Sequence, residues 1–340
     1  MGGMDELISL SRRYGGNPDW LLAGGGNTSW KEGDILHVKA SGGSLGSIEA
    51  GGFCSMSRKG LGAIWQRTYP EASEAREAAV LADLLAARSP GETRRPSVET
   101  LMHGLFPQAY VLHTHPSIVN GLTCGLAGPA AFQRLFSDMA IWVPFVEPGY
   151  ILSRVVKEAA EAFQARRGAF PQVMLMENHG LLVAADTPAE LDRLSDLVVG
   201  RISAEVKRRP DLQARAADAS AIKAAFDGLS ALAAPGQAIH FRSDGEILLR
   251  ASSPEAFAPL EAAFTPDHIV YAGHEFLRVE SPAELAGAWQ AYLKRNGNAP
   301  RIALVKDLGA FAIAKDGTTA RNAMLLFVDA AKVACYAESF

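Results

Sequence analysis

Two imidazoles stand one residue apart in HTHP, where His113 and His115 follow the apolar run Ala109-Tyr110-Val111-Leu112. If that run is extended, its side chains alternate faces, so both histidines point the same way with Thr114 opposite. Two such imidazoles can share one cation. A third, His179 in the Asn178-His179-Gly180 turn, would complete the three-protein-ligand set typical of catalytic zinc and leave coordination positions for a substrate. An isolated histidine is more simply a surface or hydrogen-bonded core residue. Here a second imidazole on the same apolar-edged face is costly to bury unless something uses it. His37, His240, His268 and His274 have no such company.

Glu99, in PSVETLMH, precedes His103 by four residues, which puts both on one helix face. Three roles are open to it: a fourth ligand, a general base, or a solvent-facing carboxylate favoured by the first turn of a helix. The pattern is not HExxH, which speaks against a zincin protease. GGGNTS, Gly24 to Ser29, combines flexible backbone with hydroxyl and amide donors suited to an anion such as phosphate. It lacks the lysine of a P-loop and the spacing of a dinucleotide fingerprint, and a triple glycine also serves as a plain turn. A second donor cluster, Ser41-Gly42-Gly43, follows the next strand, so a hairpin could bring the two together.

The elements that must position these residues alternate between strand and helix. Helices are expected over Asp5–Tyr14, Glu71–Arg88, Ser97–Phe106, Ile151–Arg166 and from Pro188 to about Lys207. ILHVKA, AYVLH and IWVPFV are strand candidates, and PQVMLMENHGLLVAAD reads as two strands around a turn. Arg208-Arg209-Pro210 and the Ala/Asp-rich stretch to Ser220 mark a boundary, although the alanines there also permit a helix; the domains are placed at 1–212 and 213–340. Beyond it, IHFRSDGEILLR reads as a hairpin, HIVYAG as a strand, and Pro254–Ala263 and Pro282–Arg295 as helices.

Residues 171–187 align with 300–316, with identical Pro, Leu, Gly and Ala at four of seventeen positions and the same order of helix, strand, Gly turn, strand, helix. Either this is a degenerate repeat or two α/β units look alike. In the alignment Leu308 stands where the first copy has His179.

A chain of 340 residues is comfortable for two domains, and 48% hydrophobic with 21% charged residues is ordinary globular composition. A net charge of −4, with only short scattered Arg clusters, argues against nucleic acid. No stretch reaches the roughly 18 apolar residues of a membrane span, and the N-terminus lacks a basic, apolar signal segment. Three dispersed cysteines make no disulfide framework, so the cytoplasm is the expected compartment.

The order GGGNTS, SGG, PSVE, HTHP, VPFVEPG, ENHGLLV resembles the class II aldolase/adducin family, which includes fuculose-phosphate and rhamnulose-phosphate aldolases. The resemblance covers about residues 5–207. The remainder resembles the region that follows the aldolase part in bifunctional rhamnulose-1-phosphate aldolase/dehydrogenase-type proteins.

The resemblance implies an α/β fold, three-layer α/β/α with a central mainly antiparallel sheet, followed by a smaller α/β domain. It also implies a divalent metal, usually Zn2+, on His113, His115 and His179, with Glu99 as the acid/base carboxylate. Gly26, Asn27, Ser29, Ser41, Gly42 and Ser97 fall on substrate and phosphate-binding positions. Val98 stands where sugar-phosphate aldolases often carry a second serine, and Tyr150 is the candidate for a catalytic tyrosine. The implied partners are a sugar or sugar-phosphate substrate, further copies of the chain in a homo-oligomer, and a separate dehydrogenase.

The expected activity is that of a lyase of carbohydrate metabolism: retro-aldol cleavage of a ketose phosphate through a metal-stabilised enediolate. The same site would serve a decarboxylase, epimerase or dehydratase. A non-catalytic adducin-like interaction module would instead be expected to have lost the ligands. Proton shuttling by Glu99 calls for a pKa raised toward neutrality by burial.

Overall fold

The computed structural model describes residues 3–340. Two compact units divide them: one holds the chain up to Thr123 and from Ala127 to Glu205, the other Cys124–Leu126 and Val206–Phe340. In the first unit the elements are α1 (Met4–Gly15), β1 (Asn27–Glu32), β2 (Ile35–Lys39), β3 (Phe53–Ser57), α2 (Arg58–Ile64), α3 (Ser73–Ala86), α4 (Thr100–Leu105), β4 (Tyr110–Thr114), α5 (Ser117–Thr123), α6 (Gly128–Phe136), β5 (Ile141–Val143), α7 (Tyr150–Arg167), β6 (Val173–Met176), β7 (Gly180–Ala185) and α8 (Pro188–Glu205).

Its seven strands run in the order β3-β2-β1-β4-β7-β6-β5. Every neighbouring pair is antiparallel except β5 with β6. The central strands β4 and β7 are buried at every residue, which is why they read as unbroken apolar runs rather than alternating ones. On one face Val111, Met174, Leu182 and Ala184 pack against α4 and α7 through Met102, Phe106, Leu152 and Val156. On the same side Leu36, Val38 and Met56 meet α2 and α3 through Leu61, Val80 and Leu84. Helices α1, α5 and α8 cover the other face. The three-layer architecture with a mainly antiparallel sheet follows, as expected. Among the described residues no helix is long and apolar enough to cross a membrane.

Two lysines of this sheet, Lys31 of β1 and Lys39 of β2, are buried. Lys31 of β1 is 8% exposed and its Nζ donates to the Gln108 carbonyl at 2.8 Å. Burial first, and the Arg58 charge second, pushes its pKa down to about 7. Unfolded lysine titrates near 10.4, so between about pH 7 and 10 the unfolded chain binds a proton that the folded chain does not. Stability therefore rises with pH through that window, by at most about 1.4 kcal/mol per pH unit. Lys31→Met should flatten the rise between melts at pH 7 and pH 9.5; an unchanged slope would refute the assignment.

The second unit carries α9 (Ala219–Leu232), β8 (Ala238–Arg242), α10 (Gly245–Ala251), α11 (Pro254–Phe257), α12 (Pro266–Ala272), β9 (Leu277–Val279), α13 (Leu285–Asn296), β10 (Ile302–Val305), β11 (Gly309–Ala314) and α14 (Gly317–Ala337). Its sheet order is β8-β11-β10-β9, with only β9 and β10 parallel. Two stretches depart from the sequence expectation. GEILLR is helix α10, because Asp244 caps it by accepting from Ile247 N at 2.9 Å. HIVYA lies in helix α12, started by the Thr265 cap and Pro266 in its first turn, and these signals outweigh the β-branched content.

The backbone around β6 and β7 recurs 129 residues later. Gly168 closes α7 and Gly297 closes α13, both left-handed at φ 71°. Asn178 and Asp307 take φ 51° and 60°. Ala184 N donates to Gln172 O, and Ile313 N to Arg301 O, each at 2.8 Å. Phe241 opposes Phe311 across β8 and β11 as His113 opposes Leu182 across β4 and β7. By this register Phe241, Ser243 and Leu308 occupy the places that His113, His115 and His179 hold in the first unit.

Candidate metal centre

The register of β4 sets His113 opposite Asn27 of β1 and Leu182 of β7. The His113 ring is fully buried, and its Nδ1–H donates to the Leu181 carbonyl at 3.0 Å. That bond fixes the tautomer and leaves the Nε2 lone pair facing inward. It faces the Nε2 atoms of His115 at 3.0 Å and His179 at 3.2 Å. All three candidate ligand atoms lie within 4.8 Å of one another. Four-coordinate zinc with nitrogen ligands at 2.0–2.1 Å spaces those nitrogens roughly 3.3 Å apart, close to the two separations from His113. Without a cation, converging lone pairs would repel.

Local backbone explains why these side chains meet. His179 stands in the β6–β7 turn, where Asn178 tolerates φ 51°. Glu177 N donates to Val143 O at 2.9 Å and His179 N to Met176 O at 3.2 Å, which anchors the turn. Gly180 follows for lack of room: a Cβ there would stand 2.5 Å from Thr114 O and 2.7 Å from His115 Cδ2.

Glu99 is the N-cap residue of α4, with its side chain 12% exposed, so it does not face solvent. Its Oε1 lies 3.2 Å from His179 Nε2 and 3.4 Å from His113 Nε2, while Oε2 accepts from Asn27 Nδ2. Burial pushes this carboxyl up, but His113 and His179 pull it well below the usual carboxylate range. The expectation of a pKa raised toward neutrality is therefore corrected: neighbouring imidazoles outweigh desolvation, and Glu99 is an ionised acceptor. Burial lowers the His179 pKa against the opposing pull of Glu99.

The other residues expected at the site separate into two groups. Gly26 and Ser29 are buried, and Asn27 is 4% exposed. Gly26 takes φ 65°, and a Cβ on it would stand 2.7 Å from His113 O. Ser29 Oγ meets His103 Nδ1 at 2.7 Å, and His103 Nε2 meets Asn27 Oδ1. These residues back the imidazoles and Glu99. Ser41 and Gly42 are exposed and Ser97 half-buried on adjoining loops, tied by the Ala40–Pro96 bridge and by Ser41 N donating to Arg95 O at 2.9 Å. Ser97 Oγ also accepts from Glu99 N at 3.2 Å.

Val98, between Ser97 and Glu99, is 52% exposed. Tyr150 is not at the imidazoles; it packs among Leu36, Val38 and Leu84, with its ring 4.8 Å from that of Tyr69. Two residues were not given a role from sequence. His103 carried a signal, its four-residue spacing from Glu99. Lys39 is buried, with Nζ on the Gly24 and Gly26 carbonyls at 2.8 and 3.1 Å, which places a cation under the glycine loop.

Residues 5–198 match the family model described as Class II Aldolase and Adducin N-terminal domain. Over 195 residues the chain is 28% identical to a Bacillus subtilis (strain 168) protein named Uncharacterized oxidoreductase YuxG. That match takes in 54% of this chain but 27% of the relative, so the chain spans about a quarter of the curated relative's length. Among solved structures, the N-terminal class II aldolase domain of a conserved protein from Thermoplasma acidophilum superposes with a TM-score of 0.51 at 27% identity, covering 61% of this chain and 94% of that one. An L-fuculose 1-phosphate aldolase is a more distant likeness, with a TM-score of 0.42, 16% identity, and 59% and 83% of the two chains covered.

Proposed function

Because the chain belongs to the class II aldolase and adducin family, we propose that its first unit is a zinc-dependent aldolase that cleaves a ketose phosphate by retro-aldol chemistry. The observation that carries the reading is the convergence of three imidazole nitrogens on one point with the Glu99 carboxylate beside it. His113, His115 and His179 would hold the ion, and an all-imidazole set suits zinc. When bound, a divalent ion polarises a ketone oxygen and stabilises the negative charge that builds as the carbon–carbon bond breaks.

Glu99 Oε1 takes the proton released from the substrate hydroxyl as that carbon becomes an aldehyde. It then returns the proton to the carbon left with the electron pair. Donors of Ser41, Gly42 and Ser97 hold the remote phosphate and fix orientation. The second unit is a degenerate copy of the β4–α8 half in which Phe241, Ser243 and Leu308 replace the ligands, and its part is structural.

Metal analysis of the purified chain, with a panel of phosphorylated and unphosphorylated ketoses and sugar acids, tests this. A single zinc equivalent per chain and aldehyde release from a ketose phosphate are expected. A second equivalent would overturn the ligand-free copy. Absence of metal, or release of carbon dioxide or an epimer with no aldehyde, would overturn the aldolase reading.

A further inference from the structure

The geometry points to His103 as a positioning residue that sets the orientation of Glu99 through Asn27. A chain of hydrogen bonds with a single direction carries the inference. Asn27 turns its Nδ2 toward Glu99 Oε2, and that oxygen accepts from it. Its Oδ1 then faces His103 Nε2, and an amide oxygen also only accepts, so Nε2 must carry the proton. Full burial holds the imidazole neutral, with its pKa lowered to about 3, so Nδ1 is an acceptor and the Ser29 hydroxyl donates to it at 2.7 Å. Ser29 and His103 are both fully buried and so cannot touch a substrate. What they fix is the amide of Asn27, and with Oε2 held by that amide the other carboxylate oxygen, Oε1, faces the imidazoles.

The inference rests on reading Glu99 as the proton carrier, and it assigns Asn27 and Ser29 to that carboxylate rather than to a phosphate. His103→Leu should lower kcat by roughly 10–100-fold, the range for groups that orient a metal site's residues, with KM within about threefold and zinc content unchanged. His103→Gln, whose amide nitrogen can donate to Asn27 Oδ1, should recover most of the loss. The double variant His103→Leu with Asn27→Ala should cost no more than the worse single, because both act on one carboxylate. A loss confined to KM, additive losses, or an unchanged kcat would overturn the assignment.

If His103→Leu does not fold, the Gln variant and nitrogen-15 spectra of the zinc-loaded wild type still decide. The His103 ring should be the neutral Nε2–H tautomer, and an Nδ1–H tautomer refutes the chain of bonds. That measurement needs no turnover, so it stands apart from failure of the aldolase reading, which would show as no ketose cleaved by the wild type.

Discussion

His113→Ala is expected to leave the chain without bound metal and without turnover, more completely than the same change at His115. His113 Nε2 lies within 3.2 Å of both other Nε2 atoms, and its ring is fully buried. Its orientation is already fixed through Leu181 O, so little entropy is lost on ligation. His115 is half-buried at the strand end, where a water or a substrate oxygen can replace it more readily.

Losing the ion removes several kcal/mol of charge stabilisation, on the order of a thousandfold or more in rate. Metal content by mass spectrometry and kcat/KM on the best ketose phosphate provide the check. Full zinc occupancy in His113→Ala, or turnover within tenfold of wild type, would sink the three-imidazole site. Chelation of the wild type should mimic the variant and lower its melting temperature, since an ion bound only by the folded state stabilises it by mass action.

Strand alternation alone predicts that His113 and His115 share a face, and the Asn178-His179-Gly180 turn between two apolar runs is legible for the same reason. Long range pairing was not. Nothing local says that Asn27 lies opposite His113, and that register places Asn27 and Ser29, in the last half of GGGNTS, buried in strand β1. The four-residue spacing of Glu99 and His103 held the missing clue, since a shared helix face lets both reach Asn27. In the second unit, α10 and α12 escaped because their caps, Asp244 and Thr265, occur in strings that also read as turns. The Glu99 pKa depends on two imidazoles brought from distant segments, and desolvation alone predicted the wrong direction.

Glu99→Gln separates the two roles that remain open to this carboxylate once solvent exposure is set aside. Glutamine preserves the volume, and its amide oxygen can still accept from Asn27 Nδ2. Its NH2 would then face His113 and His179 where Oε1 stood, with no lone pair to take a proton. If Glu99 carries the proton, zinc content stays at the wild-type level while kcat falls by about 10²–10⁴-fold, the span attributed to a positioned acid or base. If it is instead a fourth ligand, the variant loses zinc along with activity, because an amide is a far weaker donor to a cation than a carboxylate. The geometry favours the first outcome: Asn27 occupies one oxygen, and the three imidazoles already supply the protein ligands of an open catalytic site. A variant that keeps both zinc and kcat within tenfold of wild type would remove Glu99 from the chemistry, and with it the role given to His103.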